Sequence, residues 1–191
     1  MSKGMKTTLI TVAVLVLVGV MLAGSAVSGY NRVVTMDENV KNQWAQVENQ
    51  LKRRYDLIPN LVATVKGYAK HEKGIFEDIA AARVKYFQAN TVSQKIAAAN
   101  QFEGPLSRLL LLQERYPDLK ANEDFLKLQD SIEGTENRIA VARMRYNDSV
   151  MALNSYIRTV MGSIYAGLAH VGPAPYYHLP QGQGVTPQVK F

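Results

Sequence analysis

The sequence predicts an all-α protein: an N-terminal transmembrane helix followed by an antiparallel up-and-down helical bundle. Three observations lead there. Thr7 to Asn31 contains no charged side chain. From Tyr30 onward apolar residues recur at spacings of three and four, the period of a helix buried along one stripe. No stretch alternates at period two, so no sheet is expected. The chain then divides into an anchor over residues 1–29, a helical bundle over 30–165 and a Pro/Gly-rich, mostly irregular tail over 166–191.

Lys3 and Lys6 precede the uncharged run and Arg32 closes it. Its 25 residues reach about 37 Å as a helix, enough for a hydrocarbon core of about 30 Å. The alternative is a cleaved signal with a small-residue exit at Gly24-Ser25-Ala26. The length of the run, and the helical period that begins without a loop after Tyr30, favour a retained anchor. With no cysteine in the chain, a lipidated N-terminus is excluded. Gly19 and Ala23, like Gly24 and Ser28, form small-xxx-small pairs that permit close helix approach and hence oligomers. The positive-inside bias is slight, since Arg32 and Lys41 are offset by Asp37 and Glu38. It favours a short cytoplasmic tail, a single pass through the inner membrane and an exported bundle.

The first soluble stripe is Val33, Met36, Val40, Trp44, Val47, Leu51, Tyr55 and Ile58. Pro59 interrupts it. Either Asp56 caps a new helix there, with Pro59 in the first turn where a missing N–H costs little, or residues 30–88 form one kinked helix. The stripe resumes through Leu61, Val65, Tyr68, Ile75, Ile79 and Tyr86. Thr91-x-x-Gln94 fits a capping box and opens a helix with Ile96, Phe102, Leu106 and Leu109 on its core face. Gly104-Pro105 is expected to kink or split that helix, and Tyr116-Pro117-Asp118 to end it. Asn122 followed by Glu123 and Asp124 starts the last helix, whose stripe runs from Phe125 through Ile139, Tyr146 and Ile157 to Val160 and Ile164.

Beyond Tyr165 the glycines and prolines leave no room for regular structure. If Pro59 is a corner, four helices return the chain to the membrane end. The uncharged stretch from Gly162 to Tyr177 would then lie at headgroup level, where tyrosines are favoured; if residues 30–88 form one kinked helix, the tail ends at the far tip and this arrangement fails.

Composition excludes several functions. The chain carries a net charge of +6, but without Lys3 and Lys6 the remaining 20 basic and 16 acidic residues are interspersed. That is no nucleic-acid footprint. Zero cysteines remove disulfides, zinc ribbons and CxxC chemistry. None of the three histidines has a glutamate three residues before it, so a di-iron bundle site is not expected. There is no phosphate loop or nucleophile elbow. No catalytic set, metal or cofactor is expected.

Two polar groups stand out. Glu48, Arg53, Arg54, Asp56 and Asn60 surround Pro59. They read either as a clasp, with arginines satisfying carbonyls freed at a helix break and pairing with Asp56 or the last helix, or as a docking patch. The clasp is the simpler reading. Glu136, Asn137, Arg138 and Arg143 on the last helix invite the same choice, with register between helices as the expected role. Trp44, at a stripe position, is a core residue first and an interface anchor second.

The run from Trp44 through Leu51-Lys52-Arg53-Arg54-Tyr55-Asp56-Leu57-Ile58-Pro59-Asn60-Leu61 to Val62 resembles the hallmark of the LemA family. So do Val65-Lys66-Gly67-Tyr68-Ala69-Lys70-His71-Glu72, Tyr116-Pro117-Asp118-Leu119-Lys120-Ala121-Asn122 and Gly134-Thr135-Glu136-Asn137-Arg138-Ile139-Ala140. The resemblance implies a bacterial protein with one N-terminal membrane helix and a helical bundle, without an established enzymatic activity. One relative acts in building magnetosome membranes, and members often lie beside membrane metallopeptidases. The expected function is a membrane-anchored, non-enzymatic scaffold of the cell envelope. Its expected partners are the lipid bilayer, further copies of itself and other membrane proteins, with no nucleic acid. The alternative is a membrane-surface binding or remodelling protein acting through its basic face and tail. The C-terminus departs from the family pattern at Val160-Met161-Gly162-Ser163.

Overall fold

The structure, a computed structural model, describes residues 3–179. The end of the expected irregular tail, from Pro180, lies outside the described residues. Six α-helices and one short 3-10 turn appear, with no strand among the described residues. They are α1 (Lys3–Tyr68), α2 (Lys73–Gln88), α3 (Val92–Leu110), the 3-10 turn Leu111–Glu114, α4 (Pro117–Lys120), α5 (Glu123–Ile157) and α6 (Val160–Ala169).

Pro59 is not a corner. It lies inside α1, an unbroken helix of 66 residues, so Asp56 caps nothing. The turn comes instead at residues 69–72, where Ala69 N–H still bonds Val65 O at 2.9 Å and Glu72 N–H closes on Ala69 O at 3.2 Å. A proline inside a helix frees the carbonyl four residues earlier, here that of Tyr55. Arg83 on α2 donates its Nε–H to that oxygen at 3.3 Å. The third helix likewise passes through Pro105 without splitting.

The chain forms two compact units. One comprises residues 1–42 and 148–174, the other 43–147 and 175–191. In the first unit, α1 carries a stretch long and apolar enough to cross a membrane. Leu15, Val16, Leu17, Val20, Met21 and Leu22 each leave more than half of their surface exposed. An apolar surface left so open is the kind that lipid or a partner covers. Farther along α1, Val33 is fully buried in a cluster with Tyr165 and Ala166, bordered by Tyr156, Ile157, Ala169 and Val171. Gly29 lies beneath the Tyr165 ring, where any Cβ would overlap it. The chain therefore does return, through the end of α5 and through α6, to the part of α1 that follows the apolar run.

The stripe of the last helix does not reach Ile164. Thr159 adopts an extended conformation, caps α6 by accepting from Gly162 N–H at 3.0 Å, and donates its own hydroxyl to Tyr156 O at 2.8 Å. That break rotates Val160 and Ile164 out of the core, to 80% and 53% exposure. Past Tyr165 the chain stays helical to Ala169, four residues longer than the glycines and prolines imply. It ends at His170 in the left-handed region (φ 53°), with Val171 N–H bonded to Ala166 O at 3.0 Å, a Schellman-type stop.

In the second unit the capping box at Thr91 and Gln94 forms, and Asn122 Oδ1 accepts from Phe125 N–H at 2.8 Å to start α5. Residue contacts fix how the helices run here. Along α1 the order Trp44, Arg54, Tyr68 meets Tyr146, Glu136, Asn122 on or next to α5, an antiparallel pair. Tyr55 and Lys66 meet Tyr86 and Phe76 of α2 in reverse order, while Glu48 and Arg54 meet Lys95 and Glu103 of α3 in the same order. The core is aromatic at its centre, where Tyr55 lies 4.4 Å from Tyr86 and 4.7 Å from Phe102, ring centre to ring centre.

Candidate functional site

Successive residues on a helix turn by about 100°, so the polar residues near Pro59 cannot share one face, and they do not. Arg54 points inward and is 1% exposed, among the most deeply buried large side chains of the protein. Glu48 points sideways and pairs with Lys95 of α3. Arg53, Asp56 and Asn60 face solvent. The expected clasp is thus narrower than the sequence suggests, and Arg83, rather than Arg53 or Arg54, serves the freed carbonyl.

A guanidinium this deep requires charged partners, because an unpaired buried charge costs several kcal/mol (about 3–5 for a broken pair). Arg54 has two. Its Nη1 donates to Glu103 Oε1 of α3 at 2.7 Å, and its Nη2 meets Glu136 Oε2 of α5 as an ion pair rather than a well-formed hydrogen bond. Its Nε has no hydrogen-bond partner. Glu136 turns its other oxygen to Arg143, whose Nη2 donates at 2.7 Å. Arg143, 8% exposed, in turn lies 5.2 Å from the centre of the Tyr177 ring. Two acids and two arginines alternate, so the chain of charges is neutral. One arginine fork spans two carboxylates on different helices, which a lysine ammonium does not match in geometry.

Over this network lie residues 175–178, which carry no regular secondary structure but are held in place by packing and side-chain hydrogen bonds. Tyr177 is buried to 4% exposure rather than presented at headgroup level, and packs against Trp44 at 6.5 Å. Trp44, 7% exposed, also meets Tyr146 edge-on at 5.3 Å. The Asn147 amide grips the Tyr177 backbone on both sides, accepting from its N–H at 2.8 Å and donating to its carbonyl at 3.0 Å. Tyr146 Oη donates to Pro175 O at 2.7 Å, and Asn100 Nδ2 to His178 O at 2.8 Å. Three side chains thereby supply the hydrogen bonds that an extended segment outside any sheet would otherwise lack. In the other unit Asn154 grips Ala174 in the same two-sided manner, at 2.9 Å each way.

Burial pushes the Tyr55, Tyr86 and Tyr177 phenols above their usual range, and that of Tyr146 up to about 12. All four are neutral hydrogen-bonding groups at physiological pH, not bases. Among the described residues no group of three His, Cys, Asp or Glu side chains is placed to hold a metal.

Of the remaining residues singled out from sequence, Asn137 and Arg138 are exposed, with the Arg138 guanidinium resting beside Gly134 one turn back. Gly19, Ala23, Gly24 and Ser28 are all exposed, and nothing packs on either glycine. Within this chain the close approach on α1 is at Gly29, against the Tyr165 ring. Sequence reasoning missed Glu103, Arg83, Asn100 and Asn147. Glu103 adjoins the core residue Phe102 and Asn147 adjoins Tyr146, but a polar residue at a stripe edge is ordinary.

Fold and site together define a helical protein with an apolar N-terminal helix and a polar network spent on joining helices. This is the build of a membrane-associated helical protein. A family model described as the LemA family matches residues 43–191, and the chain belongs to that family. Among its relatives is magnetosome protein MamQ of Magnetospirillum gryphiswaldense, 24% identical over 189 aligned positions that cover 84% of this chain and 70% of the relative. Magnetosome proteins MamQ 1 and MamQ 2 of Paramagnetospirillum magneticum match with the same identity and coverage.

Proposed function

We propose that this protein is a non-enzymatic scaffold anchored in the bacterial inner membrane. Its helices pack as an up-and-down bundle on the extracytoplasmic side and bind further copies of the chain or other membrane proteins, membrane peptidases among them. The observation that carries this reading is α1 itself. One uninterrupted helix runs from the exposed apolar stretch into the buried residues Trp44, Arg54 and Tyr55. In some proteins buried ion pairs that add little net stability select one arrangement of helices over others, and we assign that role to the Glu103–Arg54–Glu136–Arg143 chain.

In-cell crosslinking from exposed positions on α5, such as Met144 and Met151, read by mass spectrometry, tests the reading. Ladders of the chain with itself or a recurrent membrane-protein partner are expected. A protein that stays monomeric and captures nothing refutes it. Membrane-surface binding is the second reading, favoured by the uncharged α6.

A further inference from the structure

We propose that α6 is a lipid-seated interfacial helix, embedding Val160, Met161, Ile164 and Leu168 at the headgroup boundary of the same membrane that α1 enters. The proposal rests on the anchor reading of α1. No residue from Thr159 to Ala169 is charged. One side of α6, with Gly162, Tyr165 and Ala166, is buried. On the other side Val160, Met161, Ile164 and Leu168 are 80%, 53%, 53% and 62% exposed. At about 100° per residue these four fall within one arc of about 100°. Such a face, left open, calls for a partner.

Position names the partner. A hydrocarbon core of about 30 Å takes about 20 residues of helix, so a span opening just after Thr7 ends near Val27. Gly29 and Val33, the seat of α6, then lie about 3 to 9 Å past the hydrocarbon edge, within the headgroup layer, where interfacial helices bury their apolar faces. Tyr30 and Val27 of α1, 42% and 60% exposed, stand at the same level. The cations suit headgroups too. Arg158 immediately precedes α6 and is exposed, and the Arg32 guanidinium lies 4.5 Å from the centre of the Tyr156 ring. The apolar face thus belongs to a helix seated at the level where the span ends, and lipid is the occupant that geometry offers.

The chain has no cysteine, so single labels are straightforward in the full-length protein. Met161→Cys, Ile164→Cys, Val16→Cys (in the span) and Ser155→Cys (exposed on α5) each receive an environment-sensitive fluorophore. The proteins are reconstituted in vesicles of zwitterionic lipid with some phosphatidylglycerol. Labels at 161 and 164 are expected to emit at shorter wavelength than the label at 155. Shallow nitroxide lipids should quench them at least about twofold more than aqueous iodide does, as befits a helix at the acyl boundary. If the labels at 161 and 164 instead follow the one at 155 while Val16→Cys is quenched from lipid, the proposal fails and the anchor stands. Failure of lipid quenching at Val16 as well would remove both. Disulfide formation between copies of the Ile164→Cys protein, without lipid quenching, would assign the face to a second molecule and overturn the proposal.

Discussion

Arg54→Met tests the ionic network most directly, because it keeps the length of the apolar stem while deleting the charge. The consequence falls on Glu103. Glu136 retains Arg143 at 2.7 Å, whereas Glu103 loses the partner that its Oε1 bonds at 2.7 Å. Deleting one member of a buried pair typically costs about 3–5 kcal/mol. Glu103 and Glu136 are 21% and 43% exposed at the side chain, so water reaches the orphaned carboxylate and the lower end, about 3 kcal/mol, applies. In a domain of this size that lowers the thermal midpoint by about 6–12 °C. Far-UV circular dichroism of the full-length protein in lipid nanodiscs, scanned reversibly, is the assay. Arg54→Met combined with Glu103→Leu removes both charges and is expected to recover about 1.5 kcal/mol of the summed single losses, the size of coupling found for contacting pairs. A loss below about 1 kcal/mol for Arg54→Met, the level of a surface pair, or strictly additive losses in the double variant, would refute the reasoning.

Arg83→Leu leaves the Tyr55 carbonyl without its donor and is expected to cost about 1–2 kcal/mol; in a Pro59→Ala background, where residue 59 regains an N–H for that carbonyl, thermal scans should show most of the loss gone. Asn147→Asp keeps the acceptor for Tyr177 N–H but cannot donate to Tyr177 O, so amide exchange at Tyr177 is expected to accelerate about tenfold or more by hydrogen-exchange mass spectrometry. The Tyr146 phenol, raised by burial to about 12 from an ordinary value of about 10, binds its proton more tightly when folded. Its contribution is therefore whole below about pH 10 and is lost as pH rises toward 12. Tyr146→Phe, less stable at neutral pH for want of the bond to Pro175 O, should show a shallower alkaline decline in the same denaturation assay.

The amino-acid sequence by itself determined the helical class, the apolar N-terminal run and most of the core. A stripe repeating every three to four residues can be buried in only one kind of backbone, and 25 uncharged residues announce their solvent. Caps at Thr91 and Asn122 were legible for the same reason: a local hydrogen bond is written in adjacent residues. Corners were another matter. Pro59 looks like a break when only its missing N–H is considered. It is tolerated because Arg83, from another helix, bonds the carbonyl left open, and no local rule foresees a donor 28 positions away. Pairing of an arginine near Pro59 with the last helix could be anticipated, and Arg54 does meet Glu136 there. Its other partner, Glu103, was hidden likewise, since it comes from a separate helix that only packing brings together. Residues 175–178 are rightly read as irregular, but their seat was not legible, because their hydrogen bonds are made not with their own neighbours but with side chains of Asn100, Tyr146 and Asn147. Periodicity is a property of one segment and survives in the sequence; a polar contact between distant segments belongs to the pair, and tertiary structure alone decided it.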